Sequence, residues 1–446
     1  MMRRIAILFT LLAAYKGECA PCMLPAGHLQ YVDITLCGAS AGNSDNKPFI
    51  DAALSAAANG YQGIYIPAGE FLTSGNHIPP ANVGIFGSGT LKLTSAGTNP
   101  IIDTAHSGNK ISGISFDLSA SGAASRVAVD IDGGSIGTLV SDVVVNYGRI
   151  IAYVTNGGSP PTQIAIRNNQ LTSGITGGTS GGAIDINSGA SHFSVVGNRV
   201  NGNWSGKKPI QKPGDGAGIS VESGASYGQI LQNDSYANTG SGIYILSGSN
   251  ISVVNNNCSE NRQSGIGINS NVIPRPGHLS ITGNICNQNR YDGIDVNEAG
   301  PLKYINVSIQ GNYLSSNGPP PGGGGTGIVL AYAANVSISS NTITDNSVAG
   351  IWLDSSQNIA VTGNIVSGNS RTASGSYPGL LLIKSSRNSV SGNIFADDDG
   401  TGRQGFGIEE TDSTSDYNIY TGNHTENNSK GAMRLFGVHD IQLGNL

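Results

Sequence analysis

One short word governs this chain. Gly-Ile-x-Ile, or a near spelling of it, returns from "AIDI" (183–186) to "GAMRL" (431–435). Between them stand "GISV" (218–221), "GIYI" (242–245), "GIGI" (265–268), "GIDV" (293–296), "GIVL" (327–330), "GIWL" (350–353), "GLLL" (379–382) and "GIEE" (407–410). Successive copies lie 23, 24, 28 or 29 residues apart, lengthened to 34 or 35 where extra residues intrude. A second word keeps pace, as in "SITGN" (280–284), "SISSN" (337–341) and "SVSGN" (389–393). Each unit therefore holds two or three short strands between Gly, Asn and Ser turns, with no helical pattern among them. Such strands bury their aliphatic side chains only by coiling into a solenoid whose turns stack about 4.8 Å apart. The recurring Asn (198, 256, 284, 312, 341, 364, 393, 423) then forms a column. Stacked amides hydrogen-bond up such a stack, and Asn tolerates the left-handed backbone of a corner.

Composition agrees. Of 446 residues, 65 are Gly and 38% are hydrophobic, which suits many short strands and tight turns rather than disorder. The net charge of −6 and the lack of any basic stripe argue against a nucleic-acid partner. The opening "MMRRIAILFTLLAAYKGECA" has two arginines before a short apolar run, the layout of a secretory signal over 1–20, with Ala20 at the cut and Glu18 unusual beside it. That run is shorter than a membrane span of about 20 residues, and no longer one follows. Cleavage would remove Cys19 and leave Cys22 and Cys37 free to pair in an oxidising compartment. Cys258 and Cys286 align one turn apart as a stacked core pair or a disulfide.

The repeats, for example "NVSISSNTITDNSVAGIWLDSSQNIAVTGNIVSGN" (335–369), closely resemble right-handed parallel β-helices of the pectin-lyase-like superfamily. The stretch "CGASAGNSDNKPFIDAALSAAANGYQGIYIPAGEF" (37–71) resembles the opening of its pectate-lyase-3 branch. The fold expected is all-β: a right-handed parallel β-helix of about 10–12 turns with an N-terminal capping helix. The expected layout is a signal peptide at 1–20, a cap with a short helix at 21–60, and the β-helix over 61–446. The helix has its own support. Phe49, Ile50, Ala53, Leu54 and Ala57 share a face, Ser44 or Asp45 caps its start, and Asn59-Gly60 ends it.

The superfamily hosts lyases, hydrolases, epimerases, tailspikes and non-enzymatic proteins, so chemistry has to come from residues. In Gly-Ile-x-Ile the aliphatics point inward and x points out. The x column reads Asp130, Asp185, Ser220, Tyr244, Gly267, Asp295, Val329, Trp352, Leu381, Glu409. The next outward column reads Asp132, Asn187, Glu222, Leu246, Asn269, Asn297, Ala331, Asp354. Acids, amides and aromatic rings on one face suit a glycan groove, with Tyr244, Trp352, Asn269, Asn297, Asp354, Lys207 and Lys208 contacting sugar. Insertions at 199–217, 318–326, 370–378 and 398–406 would wall it.

Hydrolysis needs two carboxylates, and the pair expected is Asp185 with Glu222, or Asp295 with one of them. Elimination or C5 epimerisation of a uronate needs a cationic base, for which Arg262 and Arg290 align, and charge neutralisation, for which Asp215 and Asp292 would hold Ca²⁺. The Tyr-Gly-x-Asp-Pro-His run of secreted alginate epimerases is absent, as is the polygalacturonase set of Asn-Thr-Asp, Asp-Asp, His-Gly and Arg-x-Lys. A copper site would want clustered His, Met or Cys, which the chain lacks. The expectation is a secreted protein cleaving an extracellular polysaccharide, with carboxylate hydrolysis favoured and no cofactor. The alternatives are a Ca²⁺-dependent lyase or epimerase and a non-catalytic glycan-binding solenoid. The terminal "GVHDIQLGNL" keeps the strand pattern without an evident cap, which points to a partner or a homotrimer.

Overall fold

A computed structural model describes residues 22, 30–98, 100–121, 126–154, 158–174, 181–203, 216–270, 277–298, 305–318, 324–397 and 402–446. The signal segment 1–20 and the insertion bearing Lys207, Lys208 and Asp215 lie outside the described residues.

The chain is a right-handed parallel β-helix. Its strands pair in parallel, from Tyr31–Asp33 against Gly63–Ile66 to Ile419–Thr421 against Ile441–Leu443. One face is a 16-stranded sheet and another a 13-stranded sheet. The third is split into 7 and 5 strands, bridged only through Asn257, which meets Asp234 below and Ile285 above. The stack begins well before the first clear Gly-Ile-x-Ile word, because turns such as Leu139–Ser141, Val144–Asn146 and Arg149–Ala152 keep the spacing with other residues. Inside runs one continuous core of Ile, Val and Leu, including Ile184, Ile219, Ile243, Ile266, Ile294, Ile328 and Ile351 in a single file.

Two asparagine ladders hold the turns in phase. The first runs through Asn169, Asn198, Asn233, Asn256, Asn284, Asn312, Asn341, Asn364, Asn393, Asn423 and Asn445. At each step one carbonyl oxygen accepts twice. Asn284 Oδ1 takes the Asn256 side-chain amide at 3.0 Å and the Asn256 backbone N–H at 2.9 Å. Asn284 Nδ2 in turn donates to Asn312 Oδ1 at 3.0 Å and to the Val253 carbonyl at 2.9 Å. The second ladder was not expected. It links Asn203, Asn238, Asn261, Asn289, Asn317, Asn346 and Asn369, then passes through Gln404 to Asn428.

Helix α1 (Lys47–Ala57) buries Ile50, Ala53, Leu54 and Ala57 in the same core, while Ser44 stays exposed. Asp45 holds the start of the helix, its Oδ1 accepting the Lys47 and Ser74 N–H groups at 2.9 Å each. A relay ties α1 to the first turns: buried His77 bridges the half-exposed Asp51 (2.6 Å) and buried Thr73 (2.7 Å). Cys22 and Cys37 form a disulfide. Cys258 and Cys286 are both buried and both free thiols, so the disulfide alternative fails for them. They fill core positions on adjacent turns, and a Cβ at Gly265 would stand 2.6 Å from that of Cys286.

One core position breaks the aliphatic rule. In "GIEE" the second Glu occupies the inward file, and Glu410 is fully buried. It accepts from Asn418 Nδ2 (2.9 Å), the Tyr420 hydroxyl (2.7 Å) and the backbone N–H groups of Phe436 (2.8 Å) and Gly437 (2.9 Å). Four donors satisfy it where an aliphatic would have packed.

The ladder predicts a specific sensitivity. Asn284→Ala removes two donated bonds and leaves Asn256 without its acceptor, so it should cost about 1–3 kcal/mol. Hydrogen exchange should show the loss in the turns around 256–312 rather than in α1.

Candidate functional site

The register puts the x residues of the 13-stranded face in one file. Asp103 pairs with Asp130, Asp130 with Ile151, Ile151 with Asp185, Asp185 with Ser220, Ser220 with Tyr244, Tyr244 with Gly267 and Gly267 with Asp295. The file continues through Val329, Trp352, Leu381, Glu409 and Arg434. This column matches the sequence expectation, with Asp103, Ile151 and Arg434 added. The companion column through Leu246, Asn269, Asn297, Ala331 and Asp354 is likewise in register.

Much of the file is not solvated. The expected hydrolytic pair of Asp185 and Glu222 is 6% and 2% exposed, and it is the engagement of Asp185 that rules it out. Arg149, buried at its side, donates from Nη2 to Asp185 Oδ2 at 2.9 Å and from Nε to the Gly182 carbonyl at 2.7 Å. Ser220 Oγ donates to Asp185 Oδ1 at 2.8 Å and accepts the Gly182 N–H at 2.7 Å. Burial pushes the Asp185 carboxyl upward, and Arg149, Ser220 and Asn187 oppose that shift. Gly181 belongs to the same lock, since a Cβ there would collide with both charged groups. Nor can Asp295 pair with either acid: four turns separate it from Asp185, roughly 19 Å.

The acid whose charge acts on Asp295 is Asp292 instead. Asp292 sits three residues earlier at the corner and was expected as a calcium ligand. Its Oδ1 instead accepts backbone N–H groups from Thr326 (2.7 Å) and Gly325 (3.3 Å), donors that favour a carboxylate and repel a cation. Burial still raises Asp292 to about 6, with those N–H groups holding it down. Asp295 is half-buried, and its Oδ1 is enclosed with no hydrogen-bond partner among the described residues. Burial first, then the Asp292 charge, push it up to about 8. Among the described residues no group of three or more His, Cys, Asp or Glu side chains is placed to hold a metal ion.

The proposed sugar contacts divide. Tyr244 is 4% exposed, its ring lying over Gly267, where a Cβ would come within 3.3 Å of Cδ2, so it cannot offer a face to a ligand. Trp352 is half-buried with Tyr377 and Ile383 against Val348, Ala349 and Leu381, an apolar cluster outside the main core. Its indole Nε1 has no partner among the described residues. Asn297 is exposed, while Asn269 and Asp354 are half-buried. Arg262 and Arg290 follow the laddered Asn261 and Asn289, so they stand in register, both exposed at the corner. At the far end Glu409 forms an ion pair with Arg434, whose guanidinium also lies over the Phe406 and Phe436 rings at 5.0 and 5.8 Å.

The molecule is thus a right-handed parallel β-helix protein whose outer 13-stranded face carries a file of constrained acids. The family described as right handed beta helix region matches residues 272–404. Solved structures of similar fold include the A-module of mannuronan C-5 epimerase AlgE4 of Azotobacter vinelandii, 16% identical, with a TM-score of 0.52 over 92% of this chain and 99% of that one. The AlgE6 A-module of the same organism is 17% identical, with a TM-score of 0.50 over 93% of this chain and 98% of that one. A point mutant of the periplasmic alginate epimerase AlgG is 15% identical, with a TM-score of 0.54 over 72% of this chain and 78% of that one. At these identities the likeness is one of fold. A comparison with curated proteins finds no match.

Two outcomes follow from the geometry. Arg149→Met strands the buried Asp185 charge and should cost about 3–5 kcal/mol, whereas pairing it with Asp185→Asn should recover part of that loss in thermal unfolding. Asp295 binds its proton more tightly folded (about 8) than unfolded (3.8). Its stabilisation is therefore complete below about 3.8 and lost as pH rises towards about 8. Asp295→Asn should flatten that fall in the thermal midpoint.

Proposed function

We propose that this protein is exported and hydrolyses a polysaccharide laid along the 13-stranded face, with Asp295 as general acid and Asp292 as general base. The observation that carries this is the unequal pair itself. One carboxyl oxygen of Asp295 is enclosed and unpartnered, which favours the protonated form. Asp292 is raised less, to about 6, because two backbone N–H groups favour its charged form. Adjacent acids with environments that push them apart divide into acid and base.

The chemistry follows. Asp295 gives its proton to the glycosidic oxygen as the bond to the anomeric carbon breaks. Asp292 takes a proton from the water that adds to that carbon from the other side. An acid and a base on opposite sides of the bond, with a water at the base, make the inverting arrangement, which asks for carboxyls about 6.5–9.5 Å apart. Trp352, two turns further along the file, supplies a flat apolar edge for a sugar unit beyond the cut. The Cys22–Cys37 disulfide accords with an oxidising, extracytoplasmic compartment.

A second reading rests on Arg262 and Arg290. Two exposed guanidiniums in register at the edge suit a uronate chain, and the similar folds include mannuronan C-5 epimerases. Epimerisation would exchange the C5 hydrogen of the polymer with solvent deuterium without shortening it.

Reducing-end release from a polysaccharide panel tests the first reading. Asp295→Asn should lower it at least about 100-fold. In the wild type, kcat/KM should be bell-shaped, with limbs near the values of about 6 and about 8 that the coupled pair carries. A rate indifferent to the Asn substitution would remove the assignment.

A further inference from the structure

At the N-terminal end of the same face, well away from Asp295, lies a second carboxyl pair, of which the sequence columns held Asp130 but not Asp103. Asp103 and Asp130 are directly opposite each other on adjacent strands Ile102–Asp103 and Val127–Ile131. Asp130 is 8% exposed, and its Oδ1 is buried with no hydrogen-bond partner among the described residues. Asp103, half-buried, has the same orphaned Oδ1. Elsewhere on this face Asp185 is paired with Arg149 and Glu409 with Arg434, while Asp295 has an unpartnered Oδ1 like this pair. A buried carboxyl oxygen left without a partner is a place for a ligand or a proton.

The surroundings supply a place for one. His77 bridges to Ile102, so the next residue, Ile78, stands beneath Asp103. Ile78 is 45% exposed and lines a cleft of about 300 Å³ between α1 and the first turns, with Lys47, Asp51, Asn76 and Pro80. Tyr153, 42% exposed, follows Ala152 on the next turn up and offers an aromatic edge. The cleft itself is lined by neither acid and reaches the pair through Ile78, while Tyr153 stands two residues along from Ile151, which lies over Asp130.

We propose that Asp103 and Asp130 form a second glycoside-cleaving centre at this end, acting on the same polysaccharide chain. The inference rests on the reading of this face as a polysaccharide track, but not on Asp295. The backbones of opposed residues on adjacent strands stand about 4.8 Å apart, so side chains projecting in parallel from them come near the roughly 5–5.5 Å carboxyl separation of retaining glycosidases. Asp130 donates its proton to the glycosidic oxygen while the Asp103 carboxylate attacks the anomeric carbon, and the leaving sugar departs with that proton. Water then gives a proton back to Asp130 and its oxygen to the anomeric carbon, which releases Asp103. The ordering of roles agrees with the groups that face the pair. Burial, then Asp103 and Asp132, push Asp130 up to about 8 against the opposing Arg149 charge, with Asp185 adding to the rise. Burial and Asp132 raise Asp103 to about 6, with His106 opposing.

The test uses the full chain and any polysaccharide the wild type shortens. Reducing ends and product anomers are followed for wild type, Asp295→Asn, Asp130→Asn, Asp103→Asn and the double variant Asp295→Asn/Asp130→Asn. The expected result is that Asp295→Asn leaves a residual cleavage giving retained anomers. Adding Asp130→Asn should abolish this at least 100-fold, and Asp103→Asn should repeat the effect if Asp130→Asn unfolds. Asp103→Asn and Asp130→Asn that leave rates and anomers unchanged in both backgrounds overturn the second centre and leave Asp295 standing. Loss in those variants with Asp295→Asn inert keeps this centre and removes the other. A wild type that shortens no polymer removes both.

Discussion

Everything about this molecule depends on turns that stack without slipping. An aliphatic core alone would tolerate a turn rotated or shifted by a residue pair, since neighbouring Ile and Val positions are interchangeable to a hydrophobic contact. The asparagine ladders do not tolerate it. Each Oδ1 accepts both a side-chain amide and a backbone N–H from the turn below, as Asn284 does from Asn256, so a slipped turn would leave several buried polar groups unsatisfied at once. Two such ladders at two corners fix the phase of the coil, and the outer columns are a consequence of that phase.

Fixed phase has an electrostatic cost. Like residues stack on like, and acids at one repeat position stand a few ångströms apart in a partly dry setting. The structure meets this in three ways. Some acids take a cation, as Asp185 takes Arg149. Some take backbone N–H groups, as Asp292 and, in the core, Glu410 do. At others, Asp130 and Asp295, burial and neighbouring acids push the carboxyl up to about 8. Only the last kind is raised far enough to serve as a general acid near neutral pH, and those are the two positions proposed for that role, with Asp292 and Asp103 as their partners.

The columns were legible from sequence because a strand repeat converts directly into position: x in Gly-Ile-x-Ile is outward wherever the word occurs. What could not be read is what lies between the words. Arg149 belongs to a turn spelled Arg-Ile-Ile-Ala, so the counter-charge that occupies Asp185 had no place in the alignment. Asp103 sits on a strand of two residues, too short to show a pattern. Tyr244 was read as a sugar platform, yet its burial follows from the glycine on the next turn, a contact between repeats rather than within one. The second asparagine ladder went unnoticed because its residues follow the shortest strands, where no fixed word precedes them. Asp292 was placed correctly at the corner, but its role turned on the N–H groups of Gly325 and Thr326, which come from the turn above after a long insertion.

The central claim is that stacked carboxyls on this face add water across a glycosidic bond. Depolymerisation in H₂¹⁸O, with products weighed by mass spectrometry, measures that directly. The account predicts one ¹⁸O at the new reducing end for each bond cut. Products lighter by the mass of one water, carrying an unsaturated uronate and no ¹⁸O, or a polymer bound but left whole, would contradict it.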